Sequence, residues 1–241
     1  MVDQAHPKLE ELIAVLHRLR APGGCAWDQE QTHASLVQYL VEETYELVDA
    51  IETGSRDDLI EELGDVLYQV IFHSDIAAHT PEEEFSLEDV AEHMTAKMVG
   101  RHPHVFGGAE AQATMNIRTA DDVVAVWDEL KKADKPARTS VLDGIPQAMP
   151  ALALADKLLG RAERVGLPVP GDAVPGDAAV ASTAVASTAV ASTAVASTER
   201  ELGTQLLAIV SAAKARGLDS ERALRGALRA LQYEIRAVEA G

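Results

Sequence analysis

Apolar residues recur along this chain at helical rather than strand spacing. Leu9, Leu12, Ile13, Leu16 and Leu19 predict a first helix over 7–20, stopped by Ala21-Pro22-Gly23-Gly24. A loop through Trp27 and Asp28 leads to a second helix over 33–53, with an apolar stripe of Leu36, Leu40, Leu47 and Ile51. Gly54-Ser55 breaks it, and Ser55 is placed to cap a third helix over 56–79. In that third helix Val66, Leu67, Val70, Ile71 and Phe72 predict burial on most sides. Pro81 and Glu82-Glu83-Glu84 mark a turn before a fourth helix over 86–100, which stops at Arg101-His102-Pro103. A looser stretch and a shorter helix over 119–133 follow. Three more amphipathic helices are predicted over 151–166, 199–216 and 219–239. β-Branched residues do not form alternating runs, so the expected class is all-α.

Between the last helices the composition changes. Pro168, Pro170, Gly171, Pro175 and Gly176 form a breaker-rich link, and Ala-Val-Ala-Ser-Thr then repeats four times over 179–198. The repeat has no charge and no large side chain, and its five-residue period fits no known repeat architecture. It reads as a low-complexity linker over about 167–198. The expected organisation is a domain over 1–150 and a second segment over 151–241.

With 241 residues, 47% of them apolar, the chain can bury a core. A net charge of −18 argues against a nucleic-acid polymer or an anionic membrane as partner. Cys25 is the single cysteine, so neither an intramolecular disulfide nor a cysteine-built zinc site is expected. No signal peptide and no membrane span are read, and a cytoplasmic location is the simplest expectation.

Two acidic clusters carry the chemistry. Glu42-Glu43-Thr44-Tyr45-Glu46 lies in the second predicted helix and Glu61-Glu62-Leu63-Gly64-Asp65 in the third. Glu43 and Glu46 are three apart, as are Glu62 and Asp65, so each pair shares a helix face. Glu43 falls within the apolar stripe, three after Leu40 and four before Leu47, where a solvated glutamate does not belong. Glu62 and Asp65 are read as lying in the first turns of their helix, where the dipole favours negative charge. Two carboxylates at ~4 Å repel by about 4 kcal/mol at an effective dielectric near 20. A fold that gathers four of them needs a compensating cation, and all-oxygen ligands suit Mg²⁺, which in turn suits a phosphate substrate. Ordinary surface glutamates are the bland alternative. A di-iron bundle would need Glu-x-x-His pairs, and His73 stands eleven residues after Glu62. Gly64, costly inside a helix, reads as a bare spot for a partner helix or a phosphate to approach.

Gly24-Cys25-Ala26-Trp27-Asp28-x-Glu30-Gln31-Thr32, the two acidic clusters and Arg101-His102-Pro103-His104-Val105-Phe106 together resemble the MazG nucleoside triphosphate pyrophosphohydrolases over about residues 6–150. The resemblance implies an all-α fold with a four-helix core, commonly a homodimer. It implies Mg²⁺, with Mn²⁺ as a possible substitute, held by Glu43, Glu46, Glu62 and Asp65. The implied reaction converts a nucleoside triphosphate and water to the monophosphate and pyrophosphate, clearing non-standard or excess nucleotides. Glu42, Glu46 and Glu61 are the candidates for taking the proton of the attacking water. Lys97 and Arg101, four apart on one face, are candidates for holding the triphosphate, with Lys131 and Trp27 as further substrate contacts. For Trp27, packing against the helix hairpin is the alternative. His102 and His104 read as structural, and Cys25 as no nucleophile.

Glu199-Arg200-Glu201-Leu202-Gly203-Thr204 echoes the second cluster. There Glu201 stands in the place of Glu62, but Thr204 replaces Asp65, and no Glu-x-x-Glu helix precedes it. The second segment therefore reads as a degenerate copy. Two other functions stay open at this point: a narrow dUTP or phosphoribosyl-ATP pyrophosphohydrolase, and a non-catalytic regulatory helical module.

Overall fold

The computed structural model describes residues 6–109, 115, 117–123, 126, 139–168 and 196–239. The described residues form helices joined by turns, with no strand among them. The chain divides into two compact units, Met1–Lys131 and Lys132–Gly241.

In the first unit the helices are α1 (Pro7–Arg20), α2 (Ala26–Glu30), α3 (Val37–Thr53), α4 (Arg56–Ala78), α5 (Leu87–Arg101) and α6 (Pro103–Phe106). Helices α1, α3, α4 and α5 supply the expected four long helices, and α4 packs against each of the other three. Only Gly54 and Ser55 separate α3 from α4, so the two form a tight antiparallel hairpin. Ser55 caps α4 as predicted: its hydroxyl accepts from the Asp58 amide, and the Asp58 carboxylate accepts from the Ser55 amide. Ser86 and Asp89 repeat this box at the start of α5.

Local hydrogen bonding moved two predicted boundaries. Thr32 and Ser35 bond each other's backbone amides, which holds residues 32–35 as a turn and delays α3 to Val37. Trp27 and Asp28, read as loop, sit in the short helix α2. Most of the helix predicted over 119–133 lies outside the described residues, as does most of the repeat tract.

Leu16, Leu36, Ile71, Phe72 and Ile76 form the core of this unit, with Leu12, Ile13, Tyr39, Tyr68 and Leu87 packed around them. Polar clamps fasten its margin. Arg20 donates to Asp75 at 2.7 Å and to the Asp28 carbonyl at 2.7 Å, while its guanidinium lies 5.2 Å from the centre of the Phe72 ring. Tyr68 bonds the buried Asp28. Burial and the nearby Asp28 charge push its phenol up to about 12, so it remains protonated. Elsewhere His33 bridges His73 at 2.7 Å and Glu83 at 2.8 Å. That bridge pins a turn in which Glu82 and Glu84 take positive φ values of 76° and 44°.

The prediction that α4 is buried on most sides does not hold. Ile71 and Phe72 are buried, but Leu67 and Val70 are each 40% exposed. On α3, Ile51, read as part of the core stripe, is 64% exposed. One side of the hairpin is therefore apolar and uncovered.

The second unit contains α7 (Ala151–Arg164), α8 (Glu199–Lys214) and α9 (Ser220–Glu239), each packed against the other two. Leu159 and Val210 are its buried centre, lined by Leu152, Ala155, Ala162 and Leu207. Lys214 reaches Asp156 at 3.2 Å across α7 and α8.

Candidate functional site

The α3–α4 hairpin sets Glu43 opposite Glu62 and Asp65, and one carboxylate oxygen from each lies within 4.8 Å of the others. All three side chains are half-buried. Glu46, one turn after Glu43, is exposed at the edge of this group and shares a hydrogen bond with Glu43. Three of the four predicted ligands thus converge, with the fourth beside them.

The site is electrostatically unfavourable as it stands. Burial, then Asp65 and Glu46, hold the Glu43 carboxyl above the ordinary glutamate range. Glu62 is raised in the same way, by loss of solvent and then by Glu46, Asp65 and Glu61. Its Oε2 is out of contact with solvent and has no hydrogen-bond partner. An orphaned carboxylate oxygen among like charges is a cost that a fold carries when a cation completes the group. The expectation about the helix dipole fails. Glu62 and Asp65 are the seventh and tenth residues of α4, beyond the first turn where that field acts.

The other predicted residues take varied positions. Glu42 and Glu61 are exposed beside Glu43 and Glu62. Trp27 is 48% exposed and meets Tyr39 edge-on, with ring centroids 5.5 Å apart, so one part packs and another is open. Lys97 is half-buried and Arg101 is buried, both on α5, which packs against α4. Lys131 lies outside the described residues. His102 donates through Nδ1 to the Met98 carbonyl at 2.6 Å, a structural bond. Gly64 faces open space: a Cβ there would meet nothing within 4 Å. Sequence reasoning missed Arg20, Tyr39 and Tyr68, which hold α2 and Trp27 in place. Their partners lie on other helices, so no spacing within one helix signals them.

Glu201 serves a different purpose from Glu62. Its carboxylate accepts from the amide and hydroxyl of Ser197, while its amide donates to Thr198 at the start of α8. Those bonds hold the carboxyl below the ordinary range. It caps a helix.

A helical hairpin that points carboxylates from both arms at one spot defines an all-α protein suited to a hard divalent cation and a phosphate ligand. Residues 31–106 match the model of the MazG nucleotide pyrophosphohydrolase domain. A protein of Streptomyces cacaoi described as an uncharacterized 26.1 kDa protein is 42% identical over 98% of this chain and 85% of its own length. The nucleoside triphosphate pyrophosphohydrolase of Escherichia coli K12 is 35% identical over 96% of this chain and 87% of its own. The enzyme of that name from Mycolicibacterium smegmatis is 44% identical over 68% of this chain and 49% of its own length. The chain belongs to the MazG nucleotide pyrophosphohydrolase family.

Proposed function

We propose that this protein hydrolyses nucleoside triphosphates to nucleoside monophosphates and pyrophosphate, removing non-standard or excess nucleotides. The observation that carries this reading is the convergence of Glu43, Glu62 and Asp65, with Glu62 Oε2 left unpartnered. The donor set is all oxygen and anionic, which fits Mg²⁺ or Mn²⁺, with Glu46 as the additional ligand at the edge. When bound, such an ion neutralises phosphate charge and favours ionisation of water. The protein's own part is to position and to move a proton. Glu46 is exposed and adjacent to the cluster, which suits it to accept the proton of the attacking water. Glu42 and Glu61 are the alternatives at the rim. Lys97 and Arg101 offer positive charge for the triphosphate from α5, and Lys131 is assigned from sequence alone. Trp27 offers an exposed aromatic surface to the base. Among the described residues no helix is long and apolar enough to cross a membrane. We place the enzyme in the cytoplasm, where its substrates are.

A panel of nucleoside triphosphates with Mg²⁺, assayed for both phosphate products, tests the reaction. Pyrophosphate should appear in step with monophosphate, and EDTA should abolish turnover. Orthophosphate as the primary product would overturn the proposal.

The uncovered hairpin face supports a homodimer. Val37, Val41 and Tyr45 on α3 and Ile60, Leu63, Leu67 and Val70 on α4 are all exposed. Exposed apolar residues recurring at helical spacing on both arms favour a contact between proteins. Leu67→Glu should shift the protein from dimer to monomer in sedimentation equilibrium, because it places a charge within that face. An unchanged mass at every concentration would remove this surface from the interface.

We also assign catalysis to the first unit alone. Glu201→Gln should leave turnover within about twofold while lowering the melting temperature slightly, because it weakens the charge-assisted bonds from Ser197. A shortened chain ending near Pro150, which keeps the first unit and removes helices α7 to α9, should keep metal-dependent turnover. Its failure while folded and dimeric would assign the second unit a part in the active site.

A further inference from the structure

Ten residues beyond Asp65 on α4, about 15 Å along the helix axis, lies a second group of metal-ligating side chains. His17 of α1, Asp75 of α4 and His79, which caps the end of α4, each place one ligand atom within 4.8 Å of the others. We propose that these three residues bind a transition-metal ion of the Zn²⁺ type, at a site separate from the carboxylate cluster.

The three groups are prepared in different ways. Asp75 is the fixed anchor: its side chain is 13% exposed and Arg20 holds Oδ2 at 2.7 Å. That leaves Oδ1, which faces His17 Nδ1 at 3.1 Å. His79, one turn after Asp75, lies 2.8 Å through Nδ1 from the Asp75 carbonyl. A carbonyl only accepts, so Nδ1 carries the proton and Nε2 keeps its lone pair. A metal-binding histidine commonly has such a bond on its other nitrogen. The two imidazoles lie side by side, with centroids 5.3 Å apart and planes inclined by 26°. Their side chains are 58% and 54% exposed, so both can turn to close around an ion.

The chemistry selects the ion. Mg²⁺ and Ca²⁺ need several oxygen ligands, whereas this site has one carboxylate already paired with Arg20. Imidazole nitrogen suits Zn²⁺, Co²⁺ and Ni²⁺, and two histidines with one carboxylate leave a fourth position open. The same preference keeps the site apart from the Mg²⁺ chemistry of the hairpin.

Calorimetric titration of the full, untagged chain with Zn²⁺ tests the proposal, with excess Mg²⁺ present to occupy the carboxylates. One Zn²⁺ per chain should bind with micromolar affinity. His17→Ala and His79→Ala should each weaken it at least about tenfold. Both residues are exposed, so these variants should fold and hydrolyse nucleotides normally. Co²⁺ should give visible d–d absorption that His79→Ala abolishes. Glu62→Gln should bind Zn²⁺ like the unaltered chain, so failure of the catalytic reading leaves this one standing. Equal Zn²⁺ affinity in the His17→Ala/His79→Ala double variant, or no binding by the unaltered chain, overturns the site.

Discussion

Glu62→Gln should reduce turnover at least ~100-fold, since a poorly held ion loses several kcal/mol of transition-state stabilisation. Glu43→Gln and Asp65→Asn should act similarly, and so should Glu46→Gln through its proposed roles as ligand and proton acceptor. The stability effect has the opposite sign. Glu43 and Glu62 have carboxyl groups raised in the fold, so the native state binds more protons than the unfolded chain as they titrate. Metal-free stability should therefore fall as pH rises from the ordinary glutamate range through the raised one. At neutral pH, glutamine at position 62 removes one member of the repelling group. Metal-free Glu62→Gln should thus melt at or above the temperature of the unaltered protein while being nearly inactive. Thermal melts in EDTA at pH 5 and pH 7.5, beside Mg²⁺-dependent rates, measure both. Normal turnover in this variant would remove Glu62 from the site.

Gly24→Ala should be the most damaging small substitution near α2. A Cβ at Gly24 would lie 2.1 Å from the Leu19 carbonyl oxygen and 2.5 Å from that of Arg18. These are backbone atoms and cannot swing aside. The same elbow bonds the Cys25 amide to the Leu19 carbonyl at 2.7 Å and the Gly24 amide to Ala21 at 2.8 Å. An added methyl must open this corner, at about 3 kcal/mol, the upper end of ordinary overpacking. The corner aims α2, so Trp27 and Asp28 move with it. Urea unfolding should show a lower midpoint, and KM for nucleotide should rise more than kcat falls. An unchanged midpoint would mean that the elbow yields easily. Gly64→Ala is the contrasting case: open space surrounds the position, and alanine should favour the helix by about 1 kcal/mol.

These glycines show the limit of reading residues one at a time. Gly24 belongs to the signature that carried the family resemblance, yet its reason is a contact with the end of α1. Gly64 attracted notice as a costly helix residue, and the described structure puts nothing against it. The hairpin was legible because its determinants are local: a two-residue break at Gly54-Ser55, a Ser55–Asp58 cap and carboxylates at i,i+3 on each arm. The α3 boundary was misread because Thr32 and Ser35 offer the backbone a competing turn. The number of buried sides of α4 was misread because apolar residues look alike in sequence whether or not the fold covers them.

Periodicity, breakers and caps act within a turn or two of helix, and the sequence alone therefore determined the all-α class, the helix order and the acidic pairs on their faces. The tertiary structure decided which groups meet across elements. It brought Glu43 to Glu62 and Asp65 but left Glu46 at the edge. It joined Arg20 to Asp75 and Asp28, linked His33 to His73 and Glu83, and gathered His17, Asp75 and His79. It also turned Glu201 into a cap. Each of those outcomes except the Glu201 cap depends on packing between separate elements or turns, where burial and charge are set by neighbours that no spacing rule names.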